Sequence, residues 1–403
     1  MNGRVVIVGA GQAALSFAAA ARGLDADVAI TMLGDEPVPP YQRPPLSKAY
    51  LAGDMPLDRL TLRPLEWYGD HDIAWRQARA TAIDRERREV RLADGTAEPY
   101  DALVLATGAF ARRLPAAIGG AAANVLTMRT LADADALAPF LREGARMLVV
   151  GGGYIGLEAA AVARAHGVEV TLLEAAARIL GRVASPVTAS YYRALHRSHG
   201  VDIRESAALE RFEIENGSAV AAVLSNGSRI ETDVVVVGIG VEPATALAAK
   251  GGLAVDNGIA VDACCRTADP AVMAVGDCAS FPHRGARVRL ESVPHAIHHA
   301  ETAAANLLGQ PQPYEAKPWF WSDQYDVKLQ IAGLNTGYDD TIVREGRREG
   351  SRSVWYYRGD ELLAVDAMND APAFMTARRV IEAGCSPARE RVADPAVGLR
   401  ELA

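Results

Sequence analysis

Val5-Val6-Ile7-Val8-Gly9-Ala10-Gly11-Gln12-Ala13-Ala14 decides how this chain folds. Four consecutive β-branched apolar residues read as a short strand buried on both faces. The Gly-x-Gly turn and the alanine run after it read as a tight turn into a helix. Gly9 takes the turn, Gly11 lets backbone approach a pyrophosphate, and small Ala14 lets the helix pack close on the strand. The helix N-terminus then presents free N–H groups and the positive end of its dipole to the phosphates. On its own this is one glycine-rich loop among many, and its meaning depends on the rest of the chain.

The next strand is expected over Asp27–Leu33, ending at Gly34-Asp35-Glu36. A carboxylate roughly 20 residues past such a turn suits a ribose hydroxyl pair. Asp35 is the first candidate and Glu36 the second. A proline-stiffened loop follows, Arg43-Pro44-Pro45-Leu46-Ser47-Lys48. Its two cations suit an anionic cofactor, or else a solvated connector. Tyr100–Gly108 then gives a buried strand ending in Thr107-Gly108.

The decisive observation is that the opening repeats. Arg146–Val150 leads into Gly151-Gly152-Gly153-Tyr154-Ile155-Gly156, with Gly151, Gly153 and Gly156 at all three fingerprint positions. The following strand, Val168–Leu173, ends on Glu174. Two such units in one chain imply two nucleotides. Glu174 favours NADH over NADPH, because a carboxylate accepts two ribose hydroxyls and repels a 2′-phosphate. Arg178, four residues on, would soften that preference.

With 403 residues the chain is too long for one ordinary core and long enough for two or three domains. Its net charge of −8 argues against a nucleic-acid partner. No apolar run reaches the ~18 residues of a membrane span. The four cysteines, Cys264, Cys265, Cys278 and Cys385, form no Cys-x-x-Cys pair. That excludes the usual zinc spacing and the redox disulfide, and suits a reducing, cytoplasmic compartment. Cys264-Cys265 reads as neighbours on a strand facing opposite ways. No metal site is expected. His295 and His299 stand at i, i+4, but no carboxylate or cysteine completes a set.

After Gln310-Pro311-Gln312-Pro313 the pattern turns aromatic and alternating, through Trp319-Phe320-Trp321 and Ser353-Val354-Trp355-Tyr356-Tyr357. These segments read as antiparallel strands of a smaller domain, closed by a helix from about Met375 to Glu382. The run Arg344-Glu345-Gly346-Arg347-Arg348-Glu349 reads as a solvated hairpin tip.

The ordered set is specific. It runs from the first fingerprint through Arg43–Lys48, Ala106-Thr107-Gly108 and the second fingerprint with Glu158. Ile239-Gly240-Val241-Glu242-Pro243, Gly276-Asp277, Glu291-Ser292-Val293 and Trp319-Phe320-Trp321-Ser322-Asp323-Gln324-Tyr325 complete it. It resembles the FAD-dependent ferredoxin reductases that serve bacterial cytochrome P450 and aromatic dioxygenase systems. The resemblance implies an α/β, glutathione-reductase-like fold, with two Rossmann-type nucleotide-binding domains and a C-terminal α+β interface domain. The FAD domain would comprise 1–112 and 242–318, the NAD domain 113–241 and the C-terminal domain 319–403.

The resemblance also implies roles. Gly9, Gly11, Ala13, Asp35, Arg43, Lys48, Ala80, Thr107, Gly108, Arg129, Asp277 and Val293 would line FAD, with Asp277 on the ribityl chain and Val293 N–H at the ring. The helix at Val293 would aim its positive end at the flavin. Gly151, Gly153, Gly156 and Glu174 would hold NADH. Lys48 and Glu158 would pair beside the flavin and nicotinamide, fixing the place where hydride passes. The partner implied is a 2Fe–2S ferredoxin feeding a P450 or dioxygenase. Trp321 is a candidate for the ferredoxin-facing edge and Arg63 a weaker one for docking. A rubredoxin or another acceptor is the neighbouring reading. A redox-gated binding protein, as in the apoptosis-inducing-factor branch, is the reading from a different class. His295 and His299 stand where relatives often carry Asn and Gln, which points to a differently tuned flavin surrounding or to packing.

Overall fold

The computed structural model describes residues 3–402. Contacts divide the chain into two compact units. One comprises 1–42, 56–110 and 242–318, the other 43–55, 111–241 and 319–403. Five helices of the described residues exceed ten residues: α1 (Gln12–Leu24), α2 (Tyr154–Ala165), α3 (Pro186–Ser198), α4 (Val293–Leu307) and α5 (Ala371–Glu382).

The first unit is built on a five-stranded parallel sheet. Its strand order is Val272–Ala274, Ala102–Leu105, Arg4–Val8, Ala29–Gly34, Ile73–Gln77. The opening strand lies at the centre, and Val5, Val6 and Ile7 are each 1 % exposed or less. A strand enclosed on both faces needs apolar residues at every position, which is why its sequence does not alternate. Helix α1 packs Ala14, Phe17, Ala18 and Ala21 into the same core as Ala300, Ala303 and Ala304 of α4. Alanine on both surfaces permits that close approach.

The second unit carries a parallel sheet of the same design. Its order is Asp202–Glu205, Glu169–Glu174, Arg146–Val150, Val234–Val237, Val125–Thr127. The duplication extends to single hydrogen bonds. Gly9 N–H donates to Leu33 O and Gly151 N–H to Leu173 O, both at 2.8 Å. Ala106 N–H donates to Val8 O and Gly238 N–H to Val150 O, again at 2.8 Å. The same unit holds the antiparallel sheet Trp319–Gln324, Val327–Gly333, Glu361–Met368, Arg352–Arg358, Asp340–Glu345, with α5 closing its core.

Three details depart from the sequence reading. Arg344 is buried, not solvated: its guanidinium donates to the carbonyls of Val392, Asp394 and Val397 and so pins the C-terminal segment. Cys264 and Cys265 lie in a turn rather than a strand, with Cys265 at φ 66° and buried. The last long helix begins at Ala371, where Asp370 caps it by accepting from Ala373 N–H. Residues 43–55 and 319–403 both group with 111–241.

Candidate active site

Two helix starts distinguish themselves by what they lack. Helices α3, α4 and α5 are capped by side chains: Ser185 accepts from Thr188 N–H, Ser292 from His295 N–H and Asp370 from Ala373 N–H. Helices α1 and α2 begin at Gly11 and Gly153 with no side-chain cap. Each helix leaves its first N–H groups without an intrahelical partner, so an uncapped start directed from a glycine turn offers donors to an anion.

The glycines preceding them cannot carry a side chain. Gly9 has φ 118°, and a Cβ there would lie 2.1 Å from Ala106 O. Gly151 has φ 107°, and its Cβ would lie 2.5 Å from Gly238 O. Gly156 is required for another reason: its Cβ would meet Gly151 O at 2.3 Å, so helix and turn touch there. Gly11, in contrast, faces open space within 4 Å, and Gly153 has only Gly238 O nearby at 3.7 Å. Bare backbone at open space over an uncapped helix start is the cradle a pyrophosphate requires. The residues fit a dinucleotide in each unit.

In the first unit the predicted residues gather at the carboxyl ends of the parallel strands. Asp35 follows the strand Ala29–Gly34 and is exposed, whereas Glu36 accepts from Tyr41 hydroxyl at 2.6 Å. Gly276, at φ 72°, packs against Ala13, and a Cβ there would come within 2.9 Å of the Ala13 methyl. Asp277 is therefore presented beside α1, at the start of a single 3-10 turn. Thr107 hydroxyl donates to Ala244 O at 2.7 Å, and Gly108 O accepts from Ala244 N–H. Val293 is the first residue of α4. Ala80 starts a strand of a small antiparallel sheet, where it pairs with Leu92, and it packs against the first unit's core.

Beneath α4 the two histidines are fully enclosed. His295 Nδ1 is 2.8 Å from Tyr314 hydroxyl, and His299 Nδ1 accepts from Gly276 N–H at 3.2 Å. Their rings stack on each other at 4.8 Å, and Phe281 packs on both, stacked on His295 at 5.2 Å and tilted to His299 at 5.1 Å. Burial disfavours the imidazolium, pushing His295 down to about 4 and His299 well below its usual range. Among the described residues no group of three or more His, Cys, Asp or Glu could hold a metal ion.

In the second unit Arg43 donates to Arg129 O at 2.8 Å, linking the proline loop to the turn before the helix Leu131–Leu137. The loop's own 3-10 turn, Pro44–Ser47, delivers Lys48. Lys48 Nζ lies 2.8 Å from Glu158 Oε2, which also accepts from Ser47 hydroxyl at 2.7 Å. Glu158 Oε1 accepts from Ser322 hydroxyl at 2.6 Å. Glu158 stands on the first turns of α2 and is only 1 % exposed, while the Lys48 side chain is 18 % exposed. The carboxylate is thus held by three partners, and the ammonium faces partly outward. The two oxygens of Glu174 are both engaged: Oε2 accepts from Gly152 N–H at 2.9 Å and Oε1 from Ala176 N–H at 2.8 Å.

Sequence reasoning assigned no role to Ser47, Ser322, Gln324 or His196. Ser322 and Gln324 stand within the Trp319–Tyr325 motif, but hydroxyls and amides give no signal until a buried charge is found beside them. All four cysteines are free thiols. Among the described residues no helix is long and apolar enough to cross a membrane.

Comparison with known proteins agrees with this geometry. Residues 3–300 match the pyridine nucleotide-disulphide oxidoreductase family, and residues 319–403 match the reductase C-terminal family. The chain is 42 % identical to the putidaredoxin reductase CamA of Pseudomonas putida, covering 100 % of this chain and 97 % of that protein. It is 44 % identical to the ferredoxin–NAD(+) reductase component of the anthranilate 1,2-dioxygenase system of Burkholderia cepacia, over 98 % of each. Among solved structures it is similar to the covalent putidaredoxin reductase–putidaredoxin complex, with a TM-score of 0.96 at 42 % identity, covering 100 % of this chain and 98 % of that one.

Proposed function

Because the chain belongs to the pyridine nucleotide-disulphide oxidoreductase family and carries the reductase C-terminal domain, we propose that it is an NADH-dependent, FAD-containing ferredoxin reductase of an oxygenase system. The observation that carries this reading is the pair of uncapped helix starts at Gly11 and Gly153, one in each unit, each behind a glycine that excludes a side chain. Two dinucleotide cradles in one chain suit one resident and one exchanging nucleotide. The family's likeness extends over the whole length, so the same division of labour applies here.

The first unit holds FAD. Gly9, Gly11 and Ala13 receive its pyrophosphate, Asp35 its adenosine ribose and Asp277 its ribityl chain. Thr107, Gly108, Ala80, Arg43 and Arg129 flank it, and Val293 presents backbone N–H to the ring. In domain terms 1–112 and 242–318 bind FAD, 113–241 bind NADH, and 319–403 form the C-terminal domain. NADH rests on Gly151, Gly153 and Gly156. Glu174 sets the preference for NADH, both by its charge and by shaping the turn through Gly152 N–H.

When bound, FAD would supply the redox chemistry, a two-electron acceptor for the hydride of NADH that can pass its electrons on singly. The protein supplies distance, orientation and charge. Glu158 fixes Lys48, and both are positioned without transferring a proton. The acceptor is a 2Fe–2S ferredoxin that feeds a P450 or dioxygenase. Four free thiols with no dithiol motif leave no disulfide relay, so electrons pass directly to the ferredoxin. They also suit a reducing, cytoplasmic compartment.

The test is anaerobic. The purified protein should carry a flavin absorbance band that NADH bleaches in a stopped-flow mixing experiment. The reduced protein should then reduce a 2Fe–2S ferredoxin faster than a rubredoxin. Failure to retain or reconstitute flavin would sink the reading.

A further inference from the structure

Glu158 is the end of a longer chain of buried polar groups. Ser322 hydroxyl, which donates to Glu158, accepts from Gln324 Nε2 at 3.0 Å. Gln324 Oε1 lies 2.8 Å from His196 Nε2, and His196 Nδ1 lies 3.3 Å from Tyr325 hydroxyl. Ser322, Gln324 and His196 are each 0 % exposed. Tyr325 is half-buried and stacks at 3.7 Å on exposed His199. The chain therefore runs from Lys48 to the surface through three segments far apart in sequence, all within the second unit.

Its direction is fixed by chemistry. Glu158, already facing the Lys48 ammonium, accepts the Ser322 proton. Ser322 oxygen is then free only to accept, and the amide nitrogen of Gln324 can only donate. That leaves Gln324 Oε1 facing His196, so Nε2 of the imidazole carries the proton and Nδ1 accepts from Tyr325. Every donor points toward Glu158. A primary amide in the middle does not readily pass a proton on, so the chain orients rather than conducts. Hydrogen bonds aligned head to tail polarise one another in a low-dielectric interior.

We propose that Ser322, Gln324 and His196 are positioning residues for hydride transfer, acting as one polarised chain that holds Glu158, and through it Lys48, in place. This rests on the reading that Lys48 and Glu158 border the site of hydride transfer. The strand Trp319–Gln324, from the C-terminal domain, thereby completes a site whose named residues lie elsewhere in the sequence.

The experiment uses the flavin-loaded protein and two readouts. The first is the stopped-flow rate of flavin bleaching by NADH. Ser322→Ala should slow bleaching about tenfold with the NADH dissociation constant within twofold, and Ser322→Thr, which keeps the hydroxyl, should recover most of the rate. The second readout needs no turnover: ¹⁵N NMR of the oxidised protein should show His196 as the Nε2–H tautomer, and Gln324→Leu should abolish that preference. A wild-type rate in Ser322→Ala, equal rates in Ser322→Ala and Ser322→Thr, or an Nδ1–H His196 overturns the chain. Lys48→Met separates the two readings. Bleaching unchanged in Lys48→Met takes down the site assignment itself, whereas slow bleaching there with a normal rate in Ser322→Ala removes only the chain.

Discussion

Glu174 accepts the backbone N–H of Gly152 at 2.9 Å, so the acid at the end of the second nucleotide strand grips the glycine turn it serves. Its other oxygen accepts from Ala176 N–H. The side chain is therefore oriented before any nucleotide arrives, and a ribose would meet a carboxylate already in position. Glu174→Ala removes both the anchor and the acceptor. A buried N–H left unsatisfied costs about 1–3 kcal/mol. KM for NADH should rise about tenfold or more while the rate at saturating NADH changes little. Glu174→Gln should keep part of the anchor yet lose discrimination, narrowing the NADH-to-NADPH ratio of kcat/KM. An unchanged ratio in steady-state assays would show that specificity lies elsewhere.

Asp366 is buried, and it accepts from the hydroxyls of Tyr356 and Thr188. Burial pushes its carboxyl up from 3.8 to about 6. The folded state thus holds this proton to higher pH than the unfolded chain does. Its contribution to stability is complete below about pH 4 and is lost as pH rises toward 6, by about 3 kcal/mol. Asp366→Asn stays neutral throughout. Relative to wild type, the variant should gain about 2–3 kcal/mol between pH 4 and pH 8, read from urea midpoints. A pH-independent difference would refute the assignment.

His295 has the opposite sign. Its folded value is pushed down from 6.5 to about 4 by burial. The unfolded chain therefore takes up the proton first, and stability present above pH 6.5 is lost as pH falls toward 4. At pH 5 the loss amounts to about 2 kcal/mol. His295→Asn removes the titration, so the variant's urea midpoint should fall less than wild type's between pH 7.5 and pH 5. Equal falls would mean that His295 titrates in the folded protein at its ordinary value, unshifted by burial.

Much of this architecture was legible because backbone geometry leaves marks on sequence. Val5–Val8 and Arg146–Val150 declare buried parallel strands by failing to alternate, Gly9 and Gly151 declare turns that no side chain fits, and Gly156 declares a helix start that touches its turn. The grip of Glu174 on Gly152 was not legible, since a carboxylate after a strand looks the same whether it meets a ribose or a backbone N–H. Arg344 was misjudged because a charged run is read as solvated. Its neighbours are strand residues, and three carbonyls of the C-terminal segment satisfy it inside. The support of Glu158 by Ser322 and Gln324 depends on tertiary approach, which local pattern cannot encode.

On the proposed assignment of one nucleotide to each glycine turn, the two sites can be disabled separately. At Gly9 a methyl group would meet Ala106 O at 2.1 Å and the backbone stands at φ 118°, so Gly9→Ala forces the first turn to move. At Gly156 the backbone is ordinary helix and the obstruction is Gly151 O at 2.3 Å, so Gly156→Ala pushes α2 off the second turn. Gly9→Ala should yield protein with little or no bound flavin and a lowered melting temperature, because the opening strand is the centre of the first core. Gly156→Ala should retain flavin with a normal visible spectrum. Its KM for NADH should rise at least tenfold, since the uncapped N–H groups at Gly153 no longer face the pyrophosphate. Flavin content after gel filtration and NADH titration of the oxidised protein measure the two effects. Loss of flavin in both variants, or in neither, would show that the two turns do not serve separate nucleotides.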